Sequence, residues 1–109
     1  MATLAKEDFR LIYAEHVLRL DGDAFARWER YGLEPEAVPV AGSKSAPGAF
    51  YLIAKAEDQV MVFDVADRIF GIGVMDSGGV VHNWESYGGE LRWALLQFPS
   101  ATNITPPSA

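Results

Sequence analysis

Residues 49–85 read AFYLIAKAEDQVMVFDVADRIFGIGVMDSGGVVHNWE, and this stretch decides the fold. It divides into apolar runs of strand length separated by breaks of hairpin size. Ala49 to Ala56 carries Phe50, Tyr51, Leu52 and Ile53 and stops at Glu57-Asp58. Gln59 to Ala66 is apolar on both faces through Val60, Met61, Val62, Phe63 and Val65, the pattern of a central strand. After Asp67-Arg68, the run Ile69 to Met75 puts Phe70, Ile72 and Val74 on one face and Gly71 and Gly73 on the other. Glycine inside a strand marks a bulge or the close approach of another element, here expected to be a helix. Asp76-Ser77-Gly78-Gly79 is a turn signal, and Val80 to Glu85 follows it. Links this short predict an antiparallel meander of three to four strands, because a parallel pair needs a crossover of about a dozen residues.

Upstream the period changes from two to 3.6. Phe9, Ile12, Tyr13, His16, Val17 and Leu20 share one helical face, with Glu7, Arg10, Glu15 and Arg19 on much of the other. Asp21-Gly22-Asp23 interrupts this run, and Asp23 is the expected N-cap of a further helical piece to Tyr31. Gly32 is the expected left-handed stop. Residues 6–31 thus form two helices or one bent one. Leu33 to Gly48, with Pro35, Pro39, Gly42, Pro47 and Gly48, reads as a loop. Downstream, Leu91, Leu95 and Phe98 predict a closing helix that Pro99 ends. The fold class is therefore α+β: N-terminal helices, a meander, a C-terminal helix. Residues 1–99 are expected to be one domain and 100–109 a frayed tail.

The chain has 109 residues, no cysteine and a formal charge of −6. Without cysteine there is no disulfide framework, thiolate metal site or thiol nucleophile. The N-terminus lacks a secretory pattern, and no apolar run approaches the roughly 18 residues of a membrane span, so a cytoplasmic protein is expected. Up to Lys55 the signs nearly balance. Beyond it seven carboxylates (Glu57, Asp58, Asp64, Asp67, Asp76, Glu85, Glu90) face only Arg68 and Arg92. Such a field repels phosphate backbones and attracts basic proteins, or else serves solubility alone.

Few residues offer chemistry. There is no Gly-x-Ser-x-Gly elbow, phosphate-binding loop or His-Glu-x-x-His, and Gly71-Ile72-Gly73 lies within a strand run. No cofactor and no structural metal are expected. His16 falls on the apolar helical stripe. Alternation puts His82 and Trp84 on one face, and His82 could act as a base only with Asp76 or Glu85 brought beside it. The three tryptophans either pack in the core or supply anchors at an interface. The partner-binding candidates are Asp67, His82, Trp84, Glu85, Tyr87 and Glu90.

The segment from Asp67 to Phe98 resembles the C-terminal half of the SUKH superfamily of bacterial toxin-immunity proteins. The likeness rests on the Asp76-Ser77-Gly78-Gly79 turn, the aromatic-acidic strand end Trp84-Glu85, and the closing helix with Leu91, Trp93 and Leu95. It covers about a third of the chain and transfers no binding residue. It implies a non-enzymatic inhibitor that binds another protein, here a basic one. The stretch from Leu20 to Phe25, Leu-Asp-Gly-Asp-Ala-Phe, also resembles early helices of the cone-shaped nuclear-transport-factor-like fold. That likeness implies a small-ligand pocket or an isomerase-like enzyme.

Overall fold

The computed structural model describes residues 3–42 and 48–99. The elements follow in the order α1 (Lys6–Leu18), α2 (Gly22–Tyr31), β1 (Gly32–Ala37), β2 (Phe50–Ala56), β3 (Gln59–Asp64), β4 (Ile69–Met75), β5 (Val81–Ser86) and α3 (Leu91–Leu96). The strands form one antiparallel sheet in the order β1-β2-β3-β4-β5, an uninterrupted meander. Helices before and after a meander is the arrangement the change of period predicts. The tail 100–109, expected to be frayed, lies outside the described residues, as do residues 43–47 of the expected loop.

The strand count differs from expectation, since β1 occupies part of the stretch read as loop. Its residues hide it: Glu34, Pro35 and Glu36 are poor strand formers. An edge strand tolerates them, because only one side of its backbone must pair. The pairing with β2 is irregular, shifting register between Gly32 and Glu36. Helix α1 then fastens this edge, through Lys6 to Glu36 at 3.1 Å and Arg10 to Glu34.

The hinge regions also correct two local expectations. Asp23 is not the N-cap; Asp21 holds that position, and Asp23 pairs with Arg27 at 3.0 Å. Gly32 is not left-handed but extended, with φ −65° and ψ 144°, so α2 runs directly into β1. Glycine is needed there for space. A Cβ would lie 2.6 Å from the Trp28 carbonyl oxygen and 2.9 Å from its indole.

Both faces of the sheet are covered, with β3 at its centre. Val60, Met61, Val62 and Phe63 are all buried, alternately on the two sides. The helices cover one face, where Phe9 stacks on Tyr51 at 4.5 Å and Phe63 meets Phe70 at 4.9 Å. The chain after β1 covers the other, burying Val38 and Val40 against Phe50, Val60, Val62 and Val81. It reaches the far edge of the sheet, where Val40 forms a parallel bridge to Val81. The expected loop is thus largely a second lid.

Candidate functional site

Strand β5 carries most of the candidate residues, and a bulge decides where they point. Asn83 has φ 56°, and the register with β4 shifts between Ile72 and Val74. One inserted residue reverses alternation beyond it. Val81 and Trp84 consequently pack into the same cluster, and His82 faces the side opposite Trp84. The expectation that His82 and Trp84 share a face is corrected accordingly. The glycines of β4 do mark a close approach, but by Trp84 rather than a helix. A Cβ on Gly71 would lie 2.1 Å from its ring, and one on Gly73 would lie 2.9 Å from the Trp84 Cβ. The indole also meets Phe50 edge-on at 5.8 Å.

At the β4–β5 turn, Asp76 accepts N–H bonds from Gly78 at 2.9 Å and Val80 at 3.0 Å through Oδ1. Its Oδ2 accepts from His82 Nε2 at 2.6 Å. Of the two carboxylates weighed for His82, the fold brings Asp76; Glu85 sits farther along, opposite Ile72. The Val80 amide, then His82, hold the Asp76 carboxyl below its ordinary range. Such a pair can orient an imidazole for proton transfer. It lies half exposed on a hairpin tip.

The opposite end of β5 gathers the acidic candidates. Tyr87 N–H donates to the Phe70 carbonyl at 2.7 Å, and Phe70 N–H to that of Gly88 at 2.8 Å. These bonds tie the β5–α3 link to the start of β4, beside the turn that bears Asp67. Asp67, Tyr87 and Glu90 therefore belong to one end of the sheet, with Glu85 two residues before Tyr87. His82 belongs to the other end. Asp67 and Glu85 are exposed, Glu90 reaches Arg19 of α1 at 3.9 Å, and Tyr87 packs partly against the main cluster.

Trp93, weighed with the other tryptophans as a core or interface residue but not among the partner-binding candidates, is 54% exposed. The signal was present: position 93 lies about 200° around a helix from both Leu91 and Leu95, which are buried. Leu11 and Leu18, 69% and 84% exposed, are further apolar side chains in solvent.

An open cleft of about 760 Å³ lies between the end of α2 and the β2–β3 turn, lined by Arg30, Tyr31, Lys55, Glu57, Asp58 and Pro99 among others. A smaller one adjoins it, between Asp23, Arg27, Arg30 and Pro99. Their charges are of both signs. Between α1 and the sheet, the rings of Phe9, Tyr13, Tyr51 and Phe63 pack against one another. Among the described residues no three His, Asp or Glu side chains are placed to hold a metal, and no helix is long and apolar enough to cross a membrane.

His16 sits edge-on to Phe70 at 5.1 Å on the face covered by the helices. Burial lowers its pKa, opposed by Glu90 and Glu15 and aided by Arg19. The folded state thus binds this proton less readily than the unfolded chain, so stability falls as pH drops through about 6.5. The melting temperature of the wild type should decline between pH 7.5 and 5.5 more steeply than that of His16→Gln. Equal slopes in thermal melts would count against a half-buried neutral imidazole.

No family model, curated protein or solved structure matches the chain.

Proposed function

We propose that the protein is a non-enzymatic binding module, an inhibitor or immunity-type protein of the bacterial cytoplasm that engages a basic partner protein. The supporting observation is the convergence of the β3–β4 turn and the β5–α3 link at one end of the sheet. It groups Asp67 with Glu90, near Glu85 and beside Arg68 and Arg92, in the half of the chain where carboxylates outnumber bases seven to two. Rim carboxylates of this kind act on encounter more than on residence, because their attraction is long-ranged and screened by salt.

The test is association kinetics at low and high salt with a partner identified by pull-down. Glu85→Lys and Glu90→Lys should each slow association by about threefold to tenfold at low salt and flatten its salt dependence. Dissociation should change little. A rate indifferent to both salt and charge reversal would reduce the acidic end to a solvated surface.

A further inference from the structure

We infer that His16 is a proton-operated latch between the end of α1 and the β5–α3 link. Neutral, its ring packs on Phe70 and keeps the link closed. Protonated, it turns outward to Glu90 and lets the link open. Every readout below is intramolecular, so none depends on the partner proposed above.

The contacts of the latch converge on Phe70. The His16 ring stands nearly perpendicular to the Phe70 ring, at 82° and 5.1 Å. The Phe70 backbone carries both bonds that hold the link, accepting from Tyr87 N–H at 2.7 Å and donating to the Gly88 carbonyl at 2.8 Å. Phe70 is fully buried and packs on Phe63 at 4.9 Å. His16 is only half-buried, so it is the part of this packing that solvent reaches. The link itself is lightly tied beyond these bonds. Gly88 is left-handed at φ 91°, and Glu90, the N-cap of α3, makes no side-chain cap bond. Its carboxylate instead faces Arg19 at 3.9 Å, with both side chains about half exposed.

The charged groups acting on the imidazole are Glu90 from the link, and Arg19 and Glu15 from its own helix. Strand β4 presents the apolar Phe70 ring to it. Asp67, Arg68 and Tyr87 are further titratable groups at this end of the sheet. Burial disfavours the charged ring, so the packed form is the neutral one. The cation has a second seat. His16 lies in the last turn of α1, where the helix dipole favours positive charge, and Glu90 attracts it. An exposed pair such as Glu90–Arg19 is weak, so Glu90 can leave Arg19 for the imidazolium. Two seats for one side chain, chosen by a proton, make a switch. The packed ring holds its proton less tightly than a free one, so the latch is closed at about pH 6.5 and above and opens as pH falls below that.

The experiment is an NMR titration of the whole chain from about pH 7.5 to about 5, followed at imidazole and amide groups. The His16 midpoint should fall below about 6.5. The amides of Phe70, Tyr87 and Gly88 should shift with that same midpoint. His16→Gln should abolish their titration, and His16→Phe, which keeps an apolar ring, serves if the glutamine variant does not fold. Glu90→Gln should lower the His16 midpoint further, since that carboxylate favours the cation. Gly78 and Val80, whose amides bond Asp76 beside His82, are controls that His16→Gln should leave unchanged. Hydrogen exchange, corrected for its intrinsic pH dependence, should show Tyr87 losing protection about threefold or more on acidification, and Met61 and Val62 less. A link that does not titrate, or titration that survives in both His16 variants, would overturn the inference. So would a His16 midpoint at or above about 6.5, or one indifferent to Glu90→Gln. Equal loss of protection at Tyr87 and Met61 would also overturn it, because that marks global unfolding rather than a latch.

Discussion

Phe9→Ala is expected to remove about 4 kcal/mol of stability. Phe9 is fully buried and is the point at which α1 grips the sheet. Its ring lies 4.5 Å from Tyr51 on β2 with planes only 6° apart, 5.1 Å from Phe63 on β3, and 5.8 Å from Tyr13 of its own helix. Truncation forfeits the transfer free energy of the ring and leaves a cavity between three aromatic side chains. Those neighbours belong to a helix and the inner part of the sheet, which cannot both move in to fill it. Against a total stability of about 5–15 kcal/mol the loss is severe. It corresponds to a melting temperature lower by roughly 20 °C. Urea denaturation of the two proteins measures it directly. Phe9→Leu keeps much of the volume and should cost about 1–2 kcal/mol. A loss below 1 kcal/mol for Phe9→Ala would mean that α1 does not close this face.

Gly71→Val should cost about 3 kcal/mol through the opposite defect, overpacking. A Cβ at Gly71 would lie 2.1 Å from Cε3 and 2.5 Å from Cζ3 of Trp84, and 2.8 Å from the backbone oxygen of Glu85. The indole could swing away only by uncovering the second cluster, in which it packs beside Phe50. The carbonyl cannot move without disturbing the β4–β5 ladder. Removing the ring therefore relieves part of the clash. In a double-mutant cycle, Gly71→Val and Trp84→Ala should together cost less than the sum of the single changes by about 1–2 kcal/mol. Strict additivity would place the indole away from the glycine strip. The same measurement bears on function. An indole committed to the sheet face is less free to serve as an anchor.

Much of the scaffold is legible locally. The stripe from Phe9 to Leu20 depends on residues three and four apart, and the apolar run from Val60 to Phe63 announces a strand buried on both faces. Asp76 to Gly79 carries its own turn chemistry, since the Asp76 carboxylate accepts from amides two and four residues on. Such patterns are written into short windows because the forces that make them act over one turn or one pleat. The acidic end was partly legible too, as Asp67, Glu85 and Glu90 flank predicted turns, and a meander sends alternate turns to the same end.

The rest waited for tertiary structure. Strand β1 is recognisable only once β2 offers it an edge and α1 supplies Lys6 and Arg10 for its glutamates. The bulge at Asn83, which parts His82 from Trp84, arises from register between two strands and leaves no period in either. Arg27 finds the end of α3 across 68 residues of chain or more, a distance no local pattern reports. Sequence by itself determined the helical segments, the four strands after the loop and where the charge accumulates. Register and packing between distant elements decided which side chains are spent inside the molecule and which, like Trp93, stay exposed.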